Sequence, residues 1–461
     1  MNPCPEDTIA AISTPLGVGG IGIVRLSGPQ AAEILSKIFR RKGGRGALAS
    51  HRFYLGEILR PGDPAAIDEV LAVFMQKPKT YTREDVVEIQ AHGGILVLQT
   101  ILEVVLQSGA RLAEPGEFTK RAFLNGRIDL TQAEAVIDLI QSKTQRSLEL
   151  ANLQRRGRLA KEVMQVREEL LDLTARLEAG IDFPDEEVPE LSGGEVHRRL
   201  GRVQSRLESL LHSYDEGKIY REGISTAIIG RPNVGKSSLL NSLLREDRAI
   251  VTSTPGTTRD VIEETLNLQG IPLKIMDTAG LRRTGDPVEV EGVRRTQDRL
   301  SQADLVIWVI DGSESLTPED LDILPQIQGK KIVVALNKND LLQRLNPLDL
   351  AEILPQVPWV PVSALHHTNI DRLEEVIRAV ILNGRLESTP EILLSNLRHK
   401  QDLEITREAL IQARQSLEAG LSAEFITLDL SRALQSLGEI VGETTTEDVL
   451  NRIFSQFCIG K

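Results

Sequence analysis

The chain has 461 residues, more than one hydrophobic core can hold, and this length predicts two to four domains. Hydrophobic residues make up 41% of it, which supports folded cores, while a formal net charge of −12 argues against a broad basic surface for nucleic acid. Only two cysteines are present, near opposite ends, so a disulfide framework is not expected and a reducing compartment fits best.

The sequence also lacks the marks of export and of membrane insertion. It begins with acidic residues, Glu6 and Asp7, where a secretion signal would carry a basic stretch followed by an apolar one. No uninterrupted apolar run approaches the ~20 residues needed to span a bilayer. We therefore expect a cytoplasmic protein without a membrane-spanning segment.

Residues 1–122 are predicted to form a mixed α+β domain. A 3.6-residue period predicts a helix over 31–40, and alternating apolar residues predict strands over 8–14, 21–26, 69–75 and 85–91. The run Gly17–Gly22 matches the dinucleotide motif G-x-G-x-x-G, but the residues after it alternate like a strand, whereas that motif must open a helix. We therefore reject a dinucleotide site and predict a glycine turn between strands.

The pattern of the chain changes twice more. Helical periodicity runs over 123–222 and returns over 386–461, whereas strands and helices alternate over 223–385. Because domain termini commonly lie close together, the alternating segment could be a domain inserted into an all-α helical domain, and two separate helical domains are the alternative. The family resemblance described below implies the insertion. The predicted fold class is an α/β multidomain protein.

The strongest single motif is Gly230–Ser237, which fits G-x-x-x-x-G-K-[ST]. It follows an apolar strand over 226–229 and opens a helix over 238–244, as a phosphate-binding loop requires. Backbone N–H groups and the helix N-terminus favour phosphate there. Lys236 is expected to reach the β- and γ-phosphates, and the Ser237 hydroxyl to bind Mg²⁺.

Three further segments follow predicted strands over 272–276, 332–336 and 359–362 and complete a guanine-nucleotide site of Ras-like type: Asp277–Gly280, Asn337–Asp340 and Ser363–Leu365. The last of them suits a guanine contact through a backbone N–H, such as that of Ala364. Asp277–Gly280 suits Mg²⁺ and the γ-phosphate, and Thr258 in the loop before it suits the remaining Mg²⁺ contact. Asn337–Asp340 offers a carboxylate to the N1–H and 2-amino group of guanine, which adenine lacks. The predicted GTP-contacting residues are Asn233, Val234, Gly235, Lys236, Ser237, Ser238, Thr252, Ser253, Thr254, Pro255, Gly256, Thr257, Thr258, Asp277, Thr278, Ala279, Gly280, Asn337, Lys338, Asp340, Ser363 and Ala364.

One position departs from the Ras pattern. Leu281 stands where Ras-type enzymes carry a water-orienting glutamine, and a leucine cannot polarise water. The nucleophile must then be oriented by Glu289, by a metal cation or by a partner residue. Lys236 and Glu289 are the predicted catalytic residues of this domain. Cys458 is a further candidate as a catalytic thiolate, although the sequence offers no partner base.

Several motifs together resemble the family of tRNA wobble-uridine modification GTPases called MnmE or TrmE, over essentially the whole chain. They are the phosphate-binding loop with Asn233 and the runs Asp7–Ala11, Pro15–Gly28, Pro115–Thr119, Arg121–Leu130, Ile181–Glu187 and Phe457–Lys461. The resemblance implies a homodimer whose nucleotide domains pair in the GTP state. It implies a K⁺ ion held by Asn233, Thr252, Thr254 and Thr257, and a Mg²⁺ ion held by Ser237, Thr258 and Asp277.

The resemblance also implies the reaction. The N-terminal domain is expected to bind 5-formyl- or 5,10-methylene-tetrahydrofolate through Arg25, Glu88, Arg127 and Lys461, and to form the dimer. With a flavin-dependent partner, MnmG or GidA, in a heterotetramer, the protein is expected to add an aminomethyl or carboxymethylaminomethyl group to C5 of the wobble uridine of tRNA. The alternatives are a ribosome-assembly GTPase of the Era-like group, which shares the run Pro255–Asp260, and a non-catalytic folate- or GTP-sensing adaptor.

Overall fold

A computed structural model of the protein describes residues 7–44, 46–182, 191–244, 249–250, 264–276, 300, 302–384 and 392–461. Contacts divide the chain into two compact units. One consists of Met1–Ile137, Gln154–Val203 and Ile405–Lys461, and the other of Asp138–Leu153 and Gln204–Glu404. The domain boundaries at 122, 222 and 385 remain a proposal drawn from the sequence.

The elements follow one another along the described chain. The strands are β1 Ile9–Ile12, β2 Gly19–Ser27, β3 Phe39–Arg41, β4 Arg52–Leu59, β5 Ala66–Met75, β6 Val86–Gly93, β7 Arg111–Leu112, β8 Ile224–Ile229, β9 Ala249–Ile250, β10 Glu264–Leu268, β11 Ile271–Ile275, β12 Leu305–Asp311, β13 Lys331–Asn337 and β14 Trp359–Pro361. The helices are α1 Ala31–Ile38, α2 Ile95–Gln107, α3 Glu117–Leu124, α4 Leu130–Gln141, α5 Gln145–Arg155, α6 Arg158–Asp182, α7 Gly193–His212, α8 Tyr214–Glu222, α9 Lys236–Leu243, α10 Pro318–Leu321, α11 Leu324–Ile327, α12 Pro347–Ile353, α13 Ile370–Ile381, α14 Leu397–Glu418, α15 Ala423–Val441 and α16 Glu447–Phe454.

The first unit contains a seven-stranded sheet in the order β3-β4-β5-β6-β2-β1-β7, antiparallel except between β1 and β7. Helices α1 and α2 pack on one face, where Val24, Leu26 and Val87 join the apolar core. Since side chains alternate along a strand, Arg25 and Glu88 point to the opposite face. The sheet thus puts two charged side chains next to each other on the face away from its helices.

Two predictions in this region are wrong in detail. The helix predicted to reach Arg40 ends at Ile38, and the next three residues form the edge strand β3. Of the predicted glycine turn, Gly17 and Val18 lie in the bend between β1 and β2, whereas Gly19–Gly22 belong to β2, with a register shift between Gly19 and Gly22. A Cβ at Gly22 would lie 2.4 Å from a δ-methyl group of Leu98 in α2, which would have to move. The rejection of a dinucleotide turn is confirmed, because these glycines open no helix.

Helical periodicity is clearest where α6 packs along α15 in the first unit. Helix α6 buries Leu159, Val163, Val166, Leu170 and Leu173, a spacing of three and four residues that puts them on one stripe. Among the helices described, none combines the length and the apolarity needed to cross a lipid bilayer.

The second unit contains a seven-stranded sheet in the order β14-β13-β12-β8-β11-β10-β9. It is parallel from β14 to β11, and β10 and β9 are antiparallel additions. Every residue of β12 is buried, as expected for a central strand covered on both faces. Ligands of such sheets bind at the carboxyl ends of the strands. The carboxyl ends of β8, β12 and β13 therefore locate the site.

Candidate functional site

The phosphate-binding loop lies between β8 and α9, as predicted, although α9 begins two residues earlier, at Lys236. At two of its glycines, the loop backbone passes very close to neighbouring residues. A Cβ at Gly230 would lie 2.3 Å from the Val309 carbonyl oxygen, and one at Gly235 would lie 2.2 Å from Asn337 Nδ2. Gly235 also has a φ of +95°, in the left-handed region that favours glycine. A larger residue at Gly230 would displace the backbone of β12, and one at Gly235 would displace the Asn337 side chain.

Lys236 places a cation at the centre of the loop. Its Nζ donates to the carbonyl oxygens of Gly230 and Arg231, both at 2.7 Å. Burial lowers the pKa of this ammonium because it disfavours the charged form. Within the described residues, this partly buried ammonium has hydrogen bonds to carbonyl oxygens, so an anion would stabilise its charge most, and a phosphate group fits that requirement.

Asn337 joins the phosphate-binding loop to the base-recognition segment. Its side chain is 3% exposed. Nδ2 donates to the Val234 carbonyl oxygen at 2.8 Å, and Oδ1 accepts from the Ala364 N–H at 2.9 Å. The sequence interpretation gave the Ala364 N–H to guanine, and in the structure a guanine carbonyl would have to share it with Asn337. One amide therefore sets the distance between the loops that would hold the two ends of the nucleotide.

Asp340 presents a carboxylate at the open end of the site. Ser363 Oγ donates to its Oδ1 at 2.5 Å, and this hydrogen bond is the main cause of a lowered pKa for Asp340. The carboxyl is therefore ionised at neutral pH and accepts hydrogen bonds only. That is the chemistry required to pair with the two adjacent N–H donors of guanine.

The remaining predicted residues of this domain lie outside the described part of the chain. These are the loop residues Thr252, Ser253, Thr254, Pro255, Gly256, Thr257 and Thr258, the segment Asp277–Gly280, and Glu289. Of the predicted cation ligands, Ser237 and Asn233 are described, and Asn233 has a left-handed backbone with φ of +64°. The assignments of these residues remain predictions.

In the first unit, the structure brings together most of the residues assigned to folate. Arg25 donates from Nε to Glu88 Oε1 at 2.9 Å, and its Nη1 donates to the Gly460 carbonyl oxygen at 3.3 Å. The guanidinium also lies 5.8 Å from the ring centroid of Phe118, which is fully buried. Lys461 follows Gly460 directly, so the chain's tail reaches the same charged pair.

Arg127 lies at the other side of the same aromatic cluster. Its guanidinium is 4.7 Å from the ring centroid of Tyr81 and donates to the Tyr81 carbonyl oxygen at 2.8 Å. Tyr81 packs against the cluster that contains Phe118. Its hydroxyl shares a hydrogen bond of 3.0 Å with the Thr119 hydroxyl. The guanidinium groups of Arg25 and Arg127 therefore lie over the rings of Phe118 and Tyr81, and the Glu88 carboxylate lies beside Arg25.

Comparison with known proteins identifies the family. A family model for the MnmE helical domain matches residues 130–458, and a model for the N-terminus of the GTP-binding protein TrmE matches residues 8–127. The tRNA modification GTPase MnmE of Natranaerobius thermophilus is 48% identical over 456 residues, which are 99% of this chain and 100% of that protein. The protein of the same name from Geotalea uraniireducens is 49% identical over 457 residues, 99% of each chain.

The chain belongs to the MnmE family. The resemblance drawn from motifs is thereby confirmed, and so is the fold class: an α+β N-terminal domain, helical segments and a P-loop GTPase domain. Family membership and the P-loop domain together make the chain a GTP hydrolase.

Solved structures with partial likeness are also GTPases or their domains. The G-domain of FeoB from Methanococcus jannaschii is 26% identical, and the match covers 34% of this chain and 98% of that chain with a TM-score of 0.25. Era from Aquifex aeolicus is 28% identical, and the match covers 41% of this chain and 67% of that chain with a TM-score of 0.27.

A buried ion-pair network joins residues from three of the motif runs named above, Asp7–Ala11, Pro115–Thr119 and Arg121–Leu130. Arg121 is 1% exposed and meets three carboxylates: Asp7 at 2.6 Å, Glu117 at 3.0 Å and Glu84 at 3.2 Å. Arg111 contacts Asp7 and Glu117, both at 2.7 Å. The network fixes α3, and α3 carries Phe118. Sequence reasoning missed this role because Asp7 and Arg121 lie 114 residues apart in the chain.

Cys458 is an exposed free cysteine in the tail. It stands two residues before Gly460, whose carbonyl oxygen contacts Arg25. The tail is held close to β1, because a Cβ at Gly460 would lie 2.5 Å from the Ile12 carbonyl oxygen. The thiol is therefore accessible near the folate-assigned residues, and its catalytic role remains a prediction.

Proposed function

We propose that this chain uses GTP hydrolysis to drive modification of the wobble uridine of tRNA at C5. The observation that carries the proposal is the link through Asn337, which holds a phosphate-binding loop and a guanine-recognition loop at a fixed distance. The full-length match to MnmE proteins, named as tRNA modification GTPases, supports the tRNA assignment. No observation favours the ribosome-assembly or adaptor alternatives over it.

Two cations belong to the proposed GTPase. Ser237 at the start of α9 would bind Mg²⁺, together with Thr258 and Asp277, and Asn233 would bind K⁺. A Mg²⁺ and a K⁺ ion beside the phosphates supply positive charge where negative charge develops during phosphoryl transfer. Asn233 fits this role chemically, because its left-handed backbone lies in the loop that would surround those phosphates and its side chain offers an amide oxygen.

The N-terminal domain is proposed to bind a reduced folate. Glu88 would accept hydrogen bonds from the amino and N–H groups of the pterin, and Arg25 holds Glu88 in place at 2.8 Å. Tyr81 is partly exposed and offers a ring for stacking, with Arg127 available to an anionic group. Bound folate would supply the one-carbon unit of the reaction.

The folate assignment has a direct test. We expect 5-formyltetrahydrofolate to bind the full chain in calorimetry and Glu88→Gln to weaken that binding at least tenfold, because an amide cannot accept from both donors. Glu33→Gln, on α1 and exposed, is the matched control and should bind as wild type. Equal affinity of Glu88→Gln and wild type would refute the assignment.

The proposed assembly is a homodimer that works with a flavin-dependent MnmG-type partner in the cytoplasm. The net charge of −12 supports a division in which the partner provides much of the phosphate binding to tRNA. We expect the chain alone to bind tRNA weakly at physiological salt and the two proteins together to bind it well.

The decisive experiment is mass spectrometry of wobble uridines in cells that lack this chain. We expect loss of the C5 aminomethyl-type group, restoration by wild type and by Asn339→Ala, and no restoration by Lys236→Met. Unchanged uridines would reject the tRNA assignment. Hydrolysis should be faster in K⁺ than in Na⁺ at matched ionic strength, and Asn233→Ala should remove the difference. Equal rates in wild type would reject the K⁺ assignment.

A further inference from the structure

An acidic segment at the end of β12 contacts both nucleotide loops. Asp311 is the last residue of β12 and lies beside Asn337 in the parallel pairing with β13. Its Oδ2 lies 2.6 Å from Lys338 Nζ, within the base-recognition segment. Sequence reasoning assigned no function to Asp311. The signal that could have found it is its position, since it ends a buried strand at the edge of the sheet where ligands bind.

Asp311 is a fixed anion rather than a mobile surface carboxylate. It is 3% exposed. Its other oxygen accepts from the Ser313 N–H at 3.0 Å and from Ser313 Oγ at 2.6 Å. Burial alone would raise the pKa of Asp311, but the hydrogen bonds from Lys338 and Ser313 outweigh it and lower the pKa. The carboxylate therefore stays charged, and Lys338 is its cationic partner.

Backbone hydrogen bonds also join the segment that begins at Asp311 to the base-recognition segment. The Gly312 N–H donates to the Asn337 carbonyl oxygen at 2.9 Å, and Gln343 Nε2 donates to the Lys338 carbonyl oxygen at 2.9 Å. Lys338 has a φ of +63°, an uncommon value for a residue with a side chain. Its side chain and its backbone are therefore held from separate sides, which fixes the loop that carries Asp340.

Farther along, the segment reaches the phosphate-binding loop. The Arg231 guanidinium pairs with Glu314 and lies 3.5 Å from Asp320 Oδ2. Asp320 is fully buried and accepts from the Thr317 N–H at 3.1 Å and from Thr317 Oγ1 at 2.9 Å, so it is fixed at the start of α10. One short segment thus holds a basic residue of each nucleotide loop.

We propose that the segment Asp311–Asp320 is a positioning element for guanine nucleotide and that Asp311 is its principal positioning residue, acting through Lys338. The proposal rests on the proposed GTP site. A lysine side chain loses considerable rotamer freedom when it is ordered, and a preformed ion pair removes part of that cost from nucleotide binding. Asp311 therefore strengthens binding of GTP and GDP alike, without changing which base is accepted.

The test measures release of a fluorescent GDP analogue from the full chain. Charge-assisted hydrogen bonds of this kind support an effect of about tenfold, so we expect Asp311→Asn to release GDP about ten times faster. Preference for guanine over xanthine nucleotide and the rate of single-turnover hydrolysis at saturating GTP should stay at wild-type values. Asp322→Asn, an exposed acid just beyond the segment, is the matched control and should release at the wild-type rate.

A double-mutant cycle separates positioning from a general loss of structure. If Asp311 acts through Lys338, then Asp311→Asn adds no further acceleration to Lys338→Met, whereas a structural effect would add to it. Ser313→Ala keeps both charges and should accelerate release two- to threefold, which provides a readout should Asp311→Asn fold poorly.

The outcomes are distinguishable. Wild-type protein that binds no guanine nucleotide would overturn the proposed function and this inference with it. Wild-type protein that binds, with Asp311→Asn and Ser313→Ala releasing at the wild-type rate, would overturn this inference alone. Additive effects in the cycle with Lys338→Met would also overturn it.

Discussion

Asn337→Ala is expected to destabilise the nucleotide domain substantially. The change leaves two groups without their partner, the Val234 carbonyl oxygen and the Ala364 N–H, around a side chain that is 3% exposed. An unsatisfied buried polar group costs about 1–3 kcal/mol, so we expect a loss of about 3 kcal/mol in the free energy of unfolding. With a urea m-value of about 2 kcal/mol/M, the unfolding midpoint should fall by about 1.5 M.

The assay can follow this domain alone in the full chain. The protein has two tryptophans, Trp308 in β12 and Trp359 in β14, and both lie in the nucleotide sheet. Tryptophan fluorescence during urea unfolding therefore reports that sheet. Asn339→Ala, two residues away and exposed, is the control and should change the free energy by less than about 0.5 kcal/mol. If the two variants unfold at the same midpoint, the linking role of Asn337 is refuted.

Three further changes test the two candidate sites. Asp340→Asn should weaken GTP binding about 100-fold or more and improve xanthosine triphosphate binding, because the amide donates where the carboxylate accepted. If Asp340 does not contact the base, competition binding would show no change of preference between the two nucleotides. Lys236→Met should abolish measurable GTP hydrolysis, and activity near wild type would remove Lys236 from the site. Arg121→Met removes the buried cation shared by Asp7, Glu84 and Glu117, of which Arg111 still pairs with Asp7 and Glu117, and should cost about 3 kcal/mol, seen as faster hydrogen exchange in α3. Burial acts to raise the pKa of Glu117, but hydrogen bonds from Arg111, the backbone and Arg121 lower it overall. The ionised Glu117 therefore stabilises the folded state fully at pH values above 4.5, the usual pKa of a glutamate. This stabilisation is lost as the pH falls through the lowered pKa. Wild-type protection of α3 should therefore decline in acid more steeply than that of the Arg121 variant.

Much of the nucleotide site could be predicted because its signals are local. The spacing from Gly230 to Ser237 and the apolar strands before each motif depend on neighbours within a few residues, and strand and helix periods are visible at that range. The elements β8, α9, β13 and β14 accordingly lie where the sequence indicated, with ends shifted by one or two residues.

Errors arose where tertiary packing overrides the local pattern. Phe39–Arg41 continues the amphipathic pattern of α1, yet it pairs with β4 as an edge strand because the sheet offers unpaired backbone groups there. The glycines of 19–22 suggested a turn, yet they belong to β2, which pairs with β6, and the missing side chain at Gly22 allows Leu98 of α2 to approach the strand.

The chemistry of the nucleotide site can be inferred from the sequence alone: a lysine in a phosphate loop, a carboxylate for guanine, and a family signature spread over the chain. The partners of those groups are set by the tertiary structure. Arg25 meets Gly460 across 435 residues, Asn337 meets Val234 across 103, and Asp311 reaches Lys338 from the neighbouring strand. The physical reason is that ion pairs and hydrogen bonds at such separations depend on strand order and register. The periodicity of apolar residues indicates which segments form strands or helices, but not which element lies beside which.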